Sequence, residues 1–144
     1  MIDAIISRLG ERVDALKGRI RGGADFARLM ASKSFQDASG ATYVLPLALR
    51  GGQADAATGA FRQQLDRIVG VVLIVPSTDP LGTGARDALE ARIEAVTAAL
   101  AGWRPPGAIG PLRIVQGRMI NVGAGLLVYQ LDFAVQSQLR INPS

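Results

Sequence analysis

The most enzyme-like stretch of the chain is Leu81-Gly82-Thr83-Gly84-Ala85-Arg86. It lies between an apolar run, Val71 to Val75, and a helical pattern. A Gly-rich turn there can hold phosphate on the free N–H groups of a helix N-terminus. The pattern is incomplete, with no full GxGxxG and no Gly-Lys-Ser/Thr after it. The plain reading is a flexible turn before the helix. Asp79, Asp87, Glu90 and Glu94 gather near the same helix. Paired acids can serve a hydrolase, but nothing in this spacing fixes their separation. Acids near a helix start also complement its dipole, and the plain reading is a solvated helix face. Ser77 has no base, because the chain contains no His and no SxxK spacing joins a serine to Lys17 or Lys33.

Composition narrows the chemistry further. Without Cys there is no disulfide framework and no thiolate nucleophile. Without His as well, the common zinc sites and the Ser-His and Cys-His pairs are closed. No cofactor, metal or catalytic residue is expected. The formal charge is +4, and 14 of the 16 basic residues are Arg, whose planar fork suits paired contacts at interfaces. The bases are scattered among 12 acids, with no like-charge run of five. Aromatics beside a basic groove, which stacking on nucleic acid requires, are missing: Tyr129 and Phe133 fall on the apolar face of a strand pattern. Met1-Ile2-Asp3-Ala4 opens on an acid where a secretory signal would be basic. The run Val71 to Val75 is far short of the ~20 residues a spanning helix needs. The chain is expected to be made in the cytosol and to have no membrane partner.

These residues need a scaffold, and 144 of them suit one domain spanning 1–144. Ile2, Ile5, Ile6, Leu9, Val13 and Leu16 follow helical spacing from about Asp3 to Leu16, with Gly18 as its stop. A short segment, Arg19 to Arg21, precedes a second short helix over Ala24 to Ala31. Ser32 to Gly40 reads as loop. Thr42 to Arg50 reads as a strand in which Pro46 calls for an edge position or a bulge. Gly51 to Ala60 reads as a small-residue loop. Phe61 to Val75 is a long strand, apolar on both faces from Ile68 onward, as a central strand would be. After the turn cluster from Pro76 to Gly84, Ala85 to Ala101 is the second long helix, ended by Gly102. Leu112 to Ile120 is a strand, Asn121 to Gly125 a turn. Leu127, Tyr129, Leu131, Phe133, Val135, Leu139 and Ile141 then give the clearest period of two.

The order αβαββαββ predicts an α+β domain: a mostly antiparallel sheet of four to five strands with two main helices on one face. A strand from Leu126 to Ile141 would reach roughly 50 Å, whereas a domain this size has a radius of gyration near ~15 Å. It must bend at a bulge or project as an arm. Phe61 to Val75 has the same excess. Such strands offer edges to a neighbouring subunit, and the Gly51 to Ala60 loop reads equally as a disordered hairpin tip or as a segment ordered by a neighbour in an assembly. The residues expected at a subunit interface are Arg50, Gly51, Gly52, Gln53, Ala54, Asp55, Thr58, Arg62 and Arg140.

Four segments, Tyr43-Val44-Leu45-Pro46, Arg50 to Gly59, Val71 to Val75 and Tyr129-Gln130-Leu131-Asp132-Phe133, together resemble the tail terminator proteins of Mu-like long-tailed bacteriophages. The resemblance runs over nearly the whole chain. It implies a non-enzymatic virion protein at the tail–neck junction. There it would form a ring, typically of six copies, on the tail tube. The ring would stop tube polymerisation and present a surface to head-completion proteins. Viral DNA would pass through the lumen without specific binding. The alternatives are a neck or head–tail connector protein and, in another class, a small nucleotide-binding enzyme using Gly82 to Arg86.

Overall fold

The computed structural model describes residues 1–32, 40–56, 59–77, 83–123 and 125–141. The order matches the expected one: α1 (Ile2–Arg12), β1 (Ile20–Arg21), α2 (Gly23–Ser32), β2 (Thr42–Asp55), β3 (Phe61–Pro76), α3 (Thr83–Leu100), β4 (Arg113–Gly123) and β5 (Leu126–Ile141). The strands form one sheet in the order β1-β2-β3-β5-β4. Only β1 against β2 is parallel; the other neighbours are antiparallel. The fold is α+β, as expected.

α1 stops earlier than its apolar spacing suggests. Val13 is extended at φ −123° and a 3₁₀ turn, Asp14–Leu16, follows. Leu16 is nonetheless fully buried. The apolar spacing therefore marked the buried side correctly and only the helix boundary wrongly. Gly18, at φ +78°, closes the 3₁₀ turn. The left-handed backbone there favours a residue without Cβ.

The core divides across the two faces of the sheet. Ile5 and Leu9 of α1 and Leu89, Val96 and Leu100 of α3 pack on Val44, Val71, Leu73, Leu131, Phe133 and Val135. On the other face Leu29, with Phe26 beside it, packs on Tyr43, Val72, Ile74, Leu126 and Val128. The two long helices do share one face. The opposite face is not solvated, because α2 lies on it. That helix is short enough that its three apolar residues left its destination unspecified. Phe26 meets Tyr43 edge to face at 5.3 Å, and burial raises the Tyr43 hydroxyl pKa above its ordinary value.

β3 is the central strand that its double-sided apolar run demanded. Its second half, Val69 to Val75, is buried between β2 and β5. Pro46 meets both of its constraints at once. β1 covers only Thr42 and Tyr43, so Pro46 sits on a free edge, and the β2–β3 register shifts between Pro46 and Ala48. At the far end of α3, Arg8 lies 5.1 Å over the Trp103 ring and donates from Nε to the Ala99 carbonyl. This contact ties α1 to the end of α3.

One buried carboxylate is held without a cation. Asp132, 6% exposed, accepts from Gln116 Nε2 at 2.9 Å and Gln130 Nε2 at 2.8 Å. Two amide donors thus meet its two oxygens where β4 meets β5.

Candidate assembly surface

Three strands outrun this core. β3 and β5 pair without a register break from Phe61↔Ile141 to Pro76↔Leu126. Burial is confined to one half of that ladder. Phe61 to Ile68 is exposed or half-buried, as is β5 beyond Val135 except Ser137, and β2 is exposed from Leu47 onward. Leu47 to Asp55, Phe61 to Ile68 and Gln136 to Ile141 therefore make a three-stranded arm. Of the two outcomes that strand length allowed, β3 and β5 project without a break. β2 projects too, but with two bulges, at Leu47 and at Gly52-Gln53.

The arm corrects one expectation. Gly51 to Ala60 was expected as loop, yet Gly51 pairs with Leu65, Ala54 with Gln63 and Asp55 with Arg62. Small side chains carry no period-2 signal, but a ladder needs only backbone N–H and C=O groups. Gly51 also makes room for Gln63, and Gly52 for Gln64. A Cβ on Gly51 would lie 2.7 Å from Gln63 Nε2, which donates to the Gly52 carbonyl at 3.2 Å. The β4–β5 connection is tighter than expected for the same reason, since β4 pairs through Gly123 with Leu126.

Eight of the nine expected interface residues come together here. Arg50, Gly51, Gly52, Gln53, Ala54, Asp55, Arg62 and Arg140 all lie on the arm. Thr58 lies outside the described residues. So does Gly82, and with it most of the phosphate-cradle stretch, while α3 already begins at Thr83.

Register assigns the arm two unlike faces, because antiparallel partners share a side and neighbours alternate. The side that continues the α1/α3 face is mostly apolar, with Leu49, Phe61, Leu65, Leu139 and Ile141, and also carries Gln63, Arg67 and Ser137. The side that continues the α2 face carries Arg50, Arg62 and Arg140 with Asp55, Asp66, Gln64, Gln136 and Gln138. Asp66 meets Arg113 at 3.8 Å, with both side chains substantially exposed and no hydrogen bond to that oxygen. Such a pair adds little stability. Where the arm leaves the core, a mostly apolar groove of about 270 Å³ opens among Met1, Ile2, Pro46, Leu47, Leu49 and Val69, with Arg67 also lining it.

Sequence reasoning missed the apolar side of the arm and the exposed apolar edge. β4 is exposed along its whole length and shows Ile114, Val115, Met119, Ile120 and Val122 to solvent. The molecule's surface is 8345 Å², against roughly 7,100 Å² for a compact monomer of this mass. Among the described residues no three His, Cys, Asp or Glu side chains gather as a metal site, and no helix is long and apolar enough to cross a membrane.

An overhanging arm with two unlike faces thus stands outside the packed core. The family model for the phage tail terminator protein matches residues 2–143. The chain belongs to that family. It is a structural virion component and not an enzyme, so the nucleotide-binding alternative at Gly82 to Arg86 is set aside. A chain in a solved structure titled "Virion of native gene transfer agent (GTA) particle" has the same fold. The TM-score is 0.53, with 13% identity over 96% of this chain and 95% of that one. No curated protein matches this family member in sequence.

Proposed function

We propose that the protein acts as a ring, of six copies, on the last ring of the tail tube of a Mu-like long-tailed phage or a particle of that kind. The ring stops tube polymerisation and offers its outer surface to the head-completion or neck protein. DNA crosses the lumen without specific binding. The tail–neck junction is its place in the virion.

The observation that carries this reading is the arm. In a single copy it leaves apolar and arginine-bearing faces in solvent, on strands twice as long as its own core uses. A closed ring covers such surfaces through a head-to-tail contact whose rotation closes. Capping a tube then needs no catalytic group, because occupying the terminal ring's binding surface is enough to stop addition.

Oligomeric mass, measured on the protein alone and on purified tail tubes, tests this. The expected result is several copies at one end of each tube. A single copy per tube, or binding along its sides, contradicts it. Labelling at the capsid portal instead of the tube end would favour a neck connector.

A further inference from the structure

Among the described residues no helix lies over the arginine-bearing face of the arm, and its charges are left in basic excess within one copy. Arg62 and Arg140 are direct partners across β3 and β5, and like charges placed so are destabilising. Asp55 faces Arg62 on the other side and Asp66 faces Arg50. With Arg113 reaching Asp66, the face holds four arginines and two aspartates.

α3 shows the opposite imbalance on the opposite side of the molecule. Asp87, Glu90, Ala91, Glu94 and Ala98 are exposed, and their spacing puts them on one outward stripe. Glu90 and Glu94 are a repulsive i, i+4 pair. Among the described residues, none of these three acids makes an ion pair. The alanines keep the stripe low enough for a flat sheet face to approach. With Arg86, also exposed, the stripe holds one base and three acids.

We infer that the arginine face of one copy's arm docks on the α3 stripe of the next copy around the ring. Three arguments select this occupant. The charge sums are opposite and equal, +2 against −2. The dimensions agree: the four strand steps from Arg62 to Asp66, opposite Arg50, span about 13 Å, and the seven helical steps from Asp87 to Glu94 about 11 Å. The two surfaces are different patches of one copy, on different sides of its sheet, as a head-to-tail contact allows and a self-complementary one does not. Pairing arm to arm across a two-fold axis would instead set arginine against arginine. The inference rests on the ring reading and adds which surfaces close it.

The test uses the full-length protein assembled on purified tail tubes, with bound copies counted by mass. Two charge reversals are made, Arg50→Glu with Arg140→Glu on the arm and Glu90→Arg with Glu94→Arg on α3. All four side chains are exposed, so urea melts should match the parent chain. Each reversal alone should raise the concentration needed for assembly at least ~tenfold, and combining all four should restore it to within ~threefold. Reversals that assemble like the parent, or a combined chain no better than either reversal, overturn the proposal. Should a reversed chain fail to fold, the salt dependence of the unaltered protein decides. Assembly should weaken between about 0.05 and about 0.5 M salt, and salt-independent assembly overturns the docking. If the unaltered protein places only one copy on each tube, the ring reading itself fails, and this docking with it.

Discussion

Leu131 and Leu49 separate the two halves of the molecule in one comparison. Leu131 is 1% exposed and Leu49 is 56% exposed, although both lie on long strands of the same sheet. Replacing Leu131 with Asp removes a fully buried leucine, worth about 1.5–3 kcal/mol. It also puts a carboxyl group among Val71, Phe133 and their neighbours. A buried polar group without a partner adds about 1–3 kcal/mol even after it protonates. Misfit of the smaller side chain brings the sum to about 5 kcal/mol, against a total stability of about 5–15 kcal/mol for a domain. Leu131→Asp should therefore be insoluble or largely unfolded. Leu49→Asp should change stability by no more than about 0.5 kcal/mol, because its new carboxylate sits in solvent opposite Arg67. The assay is urea unfolding followed by the single tryptophan, Trp103, which packs against the core beside α1. Normal unfolding of Leu131→Asp would refute the assignment of strand faces. A loss above about 2 kcal/mol for Leu49→Asp would refute the division into core and arm.

Three further outcomes follow from the same coordinates. A Cβ on Gly117 would lie 2.5 Å from the Tyr129 hydroxyl oxygen, so Gly117→Ala should cost about 1–3 kcal/mol. The cost should shrink in a Tyr129→Phe background, and a double-mutant cycle by urea melts measures the difference. Asp132→Leu strands the amides of Gln116 and Gln130 and should cost about 1–3 kcal/mol by the same melts. Deleting Gly52 to Thr58 removes the exposed arm residues Gly52 to Ala56, while Ala57 and Thr58 lie outside the described residues. The monomer should still fold with a cooperative melt while assembly on tubes weakens, and unchanged assembly by light scattering would take the arm tip out of the interface.

The readable parts of the fold were those where side chains carry the pattern. The alternation from Leu127 to Ile141 marked β5 and its core face, and the double-sided apolar run marked β3 as central. Pro46 announced the bulge and the free edge together. The unreadable parts were those held by backbone alone. Gly51 to Asp55 forms a ladder whose small residues leave no period, so a strand looked like a loop. The arm itself was legible as a length, too many strand residues for the core available. Its two faces emerge only from register, which pairs Arg62 with Arg140 and Phe61 with Ile141 across 80 or so positions of sequence. The destination of α2 was equally hidden, because Phe26, Leu29 and Met30 show an apolar side without saying which sheet face receives it. Met30 in fact stays 49% exposed.

The central claim is that this family member ends tail growth and prepares the tail for its head. Tail-length distributions, taken by electron microscopy from particles assembled without the protein, test that claim most directly. The account predicts tails longer than normal and without heads. Tails of normal length joined to heads would contradict it.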